Sequence, residues 1–385
     1  MNQQAYYLSP KQIVTPAGIM KNRHLLIKNG LISEITDKPQ KDIPIHNIAD
    51  CTLAPGFLDL HIHGREGCDV MDASRESLEV ISRSLARHGI VGFLATTVTD
   101  TWPKTLAAFN NIGEAYSGNL PGAELLGAYN EGLFFTKDHK GAHDEQYFLP
   151  LDKKYLDAII TAANGALKVV ALAPELPNSD EIIRYLSSKN IKTMLGHTAA
   201  NYEQTCSALH AGACGGVHVF NGMSGIHHRD PGCAGAVLLD KNAYVEVIAD
   251  GIHLHPAILD MIVRLKGQAK VGLISDCIVA GGMCDGQYKL GMLDVTVEQG
   301  IARTQSGSLA GSTLTLEKAV KNMFESTQAD LVQVIEMASL SPATFLGLDK
   351  ELGSIEIGKR ACLTALDPHF NITMTIVDGR IVYSA

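Results

Sequence analysis

From residue 56 onward the chain alternates two periodicities. Short, mostly apolar runs occur at 56–62, 91–97, 125–130, 169–172, 193–196, 216–219, 244–248 and 271–275. Continuous apolar runs of that length read as strands buried on both faces. Between them, segments at 74–88, 156–163, 181–189, 202–211, 256–266, 314–326 and 331–338 place apolar residues three and four apart, the spacing of amphipathic helices. Strand followed by crossover, repeated eight times, predicts an α/β fold whose parallel sheet closes into a (β/α)8 TIM-type barrel. The two ends of the chain have a different texture. Tyr6-Tyr7-Leu8, His24-Leu25-Leu26-Ile27 and Leu31-Ile32-Ser33-Glu34-Ile35 are strand-like, with Asn29-Gly30 as a hairpin turn. The runs 361–366 and 372–377, the turn Asp378-Gly379 and Ile381-Val382-Tyr383 repeat that texture. The expectation is a small β-sandwich domain built from both termini, 1–54 with 355–385, around a barrel over 55–354.

Composition narrows the class. The chain has 385 residues, 46% hydrophobic and 19% charged, with a net charge of −9. Disorder is excluded on that balance, and an acidic chain without a basic tail argues against nucleic acid as a partner. No run approaches the roughly 18 apolar residues a membrane span needs. Met1-Asn2-Gln3-Gln4-Ala5-Tyr6-Tyr7 has no basic segment leading into an apolar one, so no secretory signal is expected and the cytoplasm is the expected compartment. The eight cysteines form no Cys-x-x-Cys pair and read as buried small hydrophobes.

The chemistry falls at the ends of the predicted strands, where barrel enzymes carry their active sites. Gly56-Phe57-Leu58-Asp59-Leu60-His61-Ile62-His63-Gly64 finishes in His-x-His, and the two-residue period of a strand sends both imidazoles to one side. Glu131 follows 125–130, His197 follows 193–196, His218 lies in 216–219 and Asp276 follows 271–275. Each alone reads as a satisfied polar group; five such ends without a strand-end lysine point to a metal site. Imidazole with carboxylate is a donor set for zinc and also suits iron(II). A divalent ion lowers the pKa of bound water to about 7, and Asp276 is placed to take the water proton and return it to a leaving amine. The class expected is metal-assisted hydrolysis, most naturally of an amide.

These motifs resemble the amidohydrolase superfamily and, within it, the N-acetylglucosamine-6-phosphate deacetylases. The resemblance covers Ala54-Pro55-Gly56-Phe57-Leu58-Asp59, Lys140-Gly141-Ala142-His143, Leu172-Ala173-Pro174-Glu175 and Gly196-His197-Thr198. It continues through His218-Val219-Phe220-Asn221-Gly222-Met223, Arg229-Asp230-Pro231-Gly232, Ala249-Asp250-Gly251-Ile252-His253 and Leu309-Ala310-Gly311-Ser312. It implies a main metal site at Glu131, His197 and His218; His61 and His63 match the pair that holds a second ion in some members and is replaced in others, with Glu131 as the bridge of such a binuclear centre. One or two divalent ions per subunit follow, zinc first, then iron, cobalt or manganese. Asp276 matches the family's general base and acid, and His143 the residue that polarises the acetyl carbonyl or holds the sugar. Asn221, the Gly222 backbone, Arg229 and His253 match the phosphate and sugar grip, and Leu309 a pocket wall. A second subunit can supply part of that grip, which implies a homodimer acting on a phosphorylated amino sugar.

The chain departs from the family pattern. Tyr129-Asn130-Glu131-Gly132-Leu133 keeps the glutamate of His-Leu-Glu-Gly-Pro but not its histidine or proline. Gly222 stands where alanine is usual, and with His227-His228-Arg229 it resembles the branch acting on N-acetylgalactosamine 6-phosphate. The competing readings are a dihydroorotase-like or dipeptidase-like hydrolase and a non-catalytic barrel-shaped binding protein. The first commonly bridges its metals with a carbamylated lysine, where this chain has Glu131, and Arg229 argues for an anionic substrate. The second predicts loss of a ligand or of Asp276, and neither is lost. Among lesser residues, His255 reads as a helix-entry histidine, Cys277 and Trp102 as packing, and Ser312-Thr313 as a helix N-cap. Glu175 fits structural support and substrate positioning equally.

Overall fold

A computed structural model describes residues 5–385. Eight parallel strands pair in chain order: Phe57–Ile62, Ile90–Thr97, Glu124–Asn130, Leu167–Leu172, Lys192–Leu195, Gly215–Gly216, Tyr244–Val247 and Val271–Leu273. The ring closes just beyond the last strand. Asp276 N–H donates to the His61 carbonyl at 2.9 Å, and His63 N–H to the Cys277 carbonyl at 2.9 Å. The segments expected to carry the chemistry are therefore the ones that seal the barrel, which ties the site's geometry to the fold's integrity.

The sixth strand is shorter than its apolar pattern predicts. Gly215 lies so close to the seventh strand that a Cβ there would sit 1.7 Å from the Tyr244 carbonyl oxygen. Two residues later the backbone turns out of the sheet, with left-handed conformations at His218 (φ 25°) and Phe220 (φ 76°). That turn ends the strand and aims the His218 imidazole inward.

Helices on the outside are set by capping and by one apolar face. Ser74 accepts from Ser77 N–H ahead of Arg75–Arg87, whose Leu78, Ile81 and Leu85 are buried. Asn201 with Gln204 and Asp330 with Gln333 form capping boxes. Three helices lie outside the predicted set: Trp102–Tyr116, Gly232–Leu239 and Leu340–Leu346. Trp102–Tyr116 buries Phe109 and Ile112 but otherwise packs through small residues, Thr105, Ala108, Gly113 and Ala115, which dilutes its apolar stripe. Gly232–Leu239 is buried almost all round, so its sequence has no polar face to reveal the period. A three-stranded antiparallel sheet, Gly286–Leu290, Leu293–Glu298 and Ile301–Thr304, is inserted after the eighth barrel strand. The expected N-cap at Ser312-Thr313 is not one: the following helix starts at Leu316. Ser312 instead donates to the Ser275 carbonyl at 2.5 Å and its backbone N–H to the Asp276 carbonyl at 2.7 Å.

The termini build one eight-stranded sheet. Leu363–Leu366 pairs antiparallel with Ile45–Pro55, so the C-terminal strands add to the N-terminal ones. Both predicted hairpins have two-residue loops with positive φ throughout, Asn29-Gly30 (53°, 79°) and Asp378-Gly379 (51°, 72°), matching type I′ turns. The sheet curls until its two ends share a core, with Ile27, Ile32, Met374 and Ile376 in one hydrophobic cluster. Ala361 N–H closes the curl on the Gly30 carbonyl at 2.8 Å. No helix among the described residues is long and apolar enough to cross a membrane.

Candidate active site

A cavity of about 370 Å³ opens at the C-terminal ends of the barrel strands. It brings together His63, Glu131, His143, His197, His218, Asn221, Gly222, His253, Asp276 and Leu309 from the expected site residues. His61 lies behind its floor with no exposure. Arg229 is not brought in: it is exposed, with Nη1 2.6 Å from His228 Nε2. Asp138, His139 and Ser308 also line the cavity and were not singled out. The only signal near the first two was their place just before Lys140-Gly141-Ala142-His143.

Glu131 is the hub. Its Oε1 lies 3.1 Å from His197 Nε2 and 3.0 Å from His218 Nε2. Its Oε2 lies 3.3 Å from His61 Nε2, 3.1 Å from His63 Nε2 and 3.7 Å from His143 Nε2. Asp276 Oδ1 stands 3.2 Å from His63 Nε2 and 3.6 Å from His61 Nε2. Every one of these groups is nearly or fully buried.

The outer nitrogens decide which way the imidazoles are protonated. His63 Nδ1 faces the Thr96 carbonyl at 3.2 Å, His197 Nδ1 the His139 carbonyl at 3.1 Å, and His218 Nδ1 the Asn221 carbonyl at 3.1 Å. His61 Nδ1 faces a Glu246 carboxylate oxygen at 3.1 Å. Carbonyl and carboxylate oxygens only accept, so each Nδ1 carries a proton; in the neutral ring that leaves the Nε2 lone pair turned inward. In that form four lone pairs face Glu131 oxygens at 3.0–3.3 Å, which calls for positive charge between them. A proton on Nε2 or a bound divalent ion supplies it. The separations fit such an ion: tetrahedral bonds of 2.0–2.1 Å put ligand atoms about 3.3–3.4 Å apart. The groups His61, His63, Asp276 and Glu131, His143, His197 each lie close enough to share an ion.

The electrostatics show the same demand for positive charge. Burial pushes His61 and His63 down, but Glu131 with Glu246 and Asp276 overcomes it; His61 ends well above the ordinary range and His63 at about 9. Burial would raise Glu131 and Asp276, yet the facing imidazoles hold both below the usual carboxylate range. The cavity floor draws positive charge. His143 behaves oppositely: burial, then the neighbouring His197, holds it well below its ordinary value.

His143 also differs in its outer contact. Its Nδ1 lies 2.8 Å from the Thr99 hydroxyl oxygen, which already accepts Leu133 N–H at 3.1 Å. If the hydroxyl hydrogen is used, it goes to Nδ1, and Nε2 then keeps the ring proton. In that arrangement His143 presents an N–H donor to the cavity. Backbone strain is concentrated here as well. His197 (φ 48°), His218 (φ 25°) and Asp276 (φ 49°) all adopt left-handed conformations, at roughly 1–3 kcal/mol each.

The surrounding residues are supports. Glu175 accepts from Thr136 Oγ1 at 2.8 Å, from Ala199 N–H at 2.7 Å and from the Thr198 hydroxyl, bracing the loop after His197. His255 caps helix Pro256–Lys266, Cys277 is buried, and Trp102 packs edge-on against Tyr155. Tyr129 is fully buried, its ring 4.8 Å from that of His61.

A closed parallel barrel with an imidazole–carboxylate cluster at its strand ends defines a hydrolase of the kind that uses a divalent ion. Comparison with known proteins agrees. Residues 52–382 match the amidohydrolase family. The chain is 45% identical to N-acetylglucosamine-6-phosphate deacetylase of Vibrio furnissii over 93% of its length and 90% of the relative's. It is 40% identical to N-acetylgalactosamine-6-phosphate deacetylase of Escherichia coli O157:H7, over 98% and 99%. It superimposes on an N-acetyl-D-glucosamine-6-phosphate deacetylase variant of Mycobacterium smegmatis, solved with N-acetyl-D-glucosamine-6-phosphate, with a TM-score of 0.92 at 28% identity, covering 99% of this chain and 100% of that one. The chain belongs to the amidohydrolase family.

Proposed function

We propose that the chain hydrolyses the acetamide of N-acetylglucosamine 6-phosphate to glucosamine 6-phosphate and acetate. The observation that carries this reading is the convergence of four imidazole Nε2 atoms on Glu131 beside a buried Asp276. Glu131, His197 and His218 would hold one divalent ion, and His61 with His63 a second that shares Glu131; zinc suits the donor set best, with iron, cobalt or manganese as alternatives. Bound there, a divalent ion supplies acidified water and a polarised carbonyl.

The chain's own residues do the rest. Asp276 takes the proton of the attacking water at Oδ1 as the new C–O bond forms. His143 donates from Nε2 to the acetyl oxygen as charge develops on it, its orientation held by Thr99. Asp276 then delivers its proton to the nitrogen as the C–N bond breaks, releasing amine and acetate. Asn221, the Gly222 N–H and His253 would grip the sugar phosphate at the other side of the cavity, with Leu309 as its wall. His253 is held for this by Asp250, Nδ1 to Oδ2 at 2.7 Å. Arg229, exposed on its own subunit, would complete the phosphate grip across a homodimer, where a bidentate guanidinium suits a dianion. The compartment inferred is the cytoplasm.

The second reading is the galactosamine isomer, favoured by the Escherichia coli O157:H7 relative and by Gly222. Acetate release from N-acetylglucosamine 6-phosphate, N-acetylgalactosamine 6-phosphate and unphosphorylated N-acetylglucosamine tests the proposal. The expected order is the first fastest and the last slowest. A faster galactosamine isomer selects the second reading; no release from either phosphate overturns both.

A further inference from the structure

The seventh barrel strand, Tyr244–Val247, is buried at every position, an environment that asks for Val or Ile. Position 246 is glutamate instead, with no exposure at all. Burying a carboxylate costs several kcal/mol unless it is paired. Among the described residues no lysine or arginine pairs with it; its partner at ion-pair distance is His61, Nδ1 to Oε2 at 3.1 Å.

This contact sets His61 apart. The other three inward-facing imidazoles lean on backbone carbonyls through Nδ1, whereas His61 alone leans on a carboxylate. A carboxylate acceptor both fixes the tautomer and makes the opposite nitrogen a stronger donor. The need for that lies on the His61 side of the cluster. His61 and His63 share Oε2 of Glu131, while His197 and His218 share Oε1. Two divalent ions bring four positive charges, which Glu131 and Asp276 offset by two. Glu246 adds a third negative charge one imidazole away.

We propose that Glu246 is a positioning residue that holds the His61 lone pair toward the cluster and tightens the ion position formed by His61 and His63. This rests on the functional reading above. The main chain of His61 is held separately: Asp59 Oδ1 accepts His61 N–H at 3.3 Å and Ser275 N–H at 3.2 Å. Glu246 contributes its own carbonyl to Val219 N–H at 2.9 Å, which a side-chain substitution leaves in place. Glu246→Gln therefore changes the ring's partner without moving either strand.

The test is a Zn²⁺ titration of chelator-treated full-length protein in competition with a chromophoric chelator. Wild type should bind two ions per chain. Glu246→Gln should bind one with wild-type affinity and the other 10- to 100-fold more weakly. In a His61→Gln background, Glu246→Gln should cause no additional loss. Should Glu246→Gln fail to fold, Glu246→Asp carries the same measurement, with weakening of the same single ion expected. The inference is overturned if the folded variant binds both ions as wild type does, if the loss persists without His61, or if wild type binds one ion only. Binding of no ion by wild type strikes the functional reading itself, a separate outcome.

Discussion

Replacing Asp276 with asparagine removes one charge at the point where, in the proposed reaction, the attacking water and the amide nitrogen are both served. The structure makes this a clean perturbation. Asp276 sits at φ 49°, a conformation asparagine tolerates as well as aspartate. Its backbone N–H and carbonyl, which close the barrel to His61 and hold Ser312, are untouched. Asparagine keeps the volume but cannot take up a proton. Positioned general acid–base groups contribute about 10²–10⁴ in rate, or about 2.7–5.4 kcal/mol at 1.36 kcal/mol per decade. The expected result is a kcat for acetate release lowered by that factor, with KM within about threefold and Tm within a few degrees of wild type. Coupled detection of acetate under saturating substrate reads kcat, and the metal content of the same sample checks that the cluster is intact. A fully metallated variant retaining a tenth or more of the wild-type kcat would refute the proton-transfer role of Asp276.

Thr99→Val should free the His143 tautomer and lower kcat roughly tenfold or more, with Thr99→Ser restoring it; equal rates in the two variants contradict the donor role. Arg229→Ala should raise KM for the phosphorylated sugar and leave the rate on the unphosphorylated one unchanged, read by steady-state kinetics; an unaltered KM removes Arg229 from the grip. Gly215→Ala drives a Cβ to within 1.7 Å of the Tyr244 carbonyl and should cost about 3 kcal/mol, seen as a Tm several degrees lower in thermal denaturation. Burial raises the Asp250 carboxyl, but the hydrogen bond and charge of His253 with two backbone N–H groups bring it below the usual range. Its stabilisation is thus full above the ordinary aspartate value of about 3.9 and is lost as pH falls through the lower folded value. Tm measured between pH 6 and pH 3 should fall more for wild type than for Asp250→Asn, and equal slopes contradict the pairing.

The barrel was legible because its strands are buried on both faces and end in polar residues, so periodicity and chemistry mark the same places. The hairpins at Asn29-Gly30 and Asp378-Gly379 were legible because only a few residue pairs adopt consecutive positive φ angles. The helix Gly232–Leu239 was not, since burial on every side erases the helical stripe. Strand ends named His61, His63, Glu131, His197, His218 and Asp276, and the structure draws all six together. Glu246 escaped because one acid inside an apolar run gives no hint of its partner, 185 residues away in sequence. Arg229 shows the converse: its motif is plain in the sequence, yet one subunit leaves it exposed and away from the cavity.

The proposed hydrolysis requires a divalent ion at the Glu131 cluster. Elemental analysis of protein purified without chelator, paired with acetate release before and after stripping and refilling, tests that directly. The expected result is one or two equivalents of metal per chain, with activity abolished by stripping and restored by Zn²⁺ or a related ion. Metal-free protein that releases acetate at an undiminished rate would contradict it.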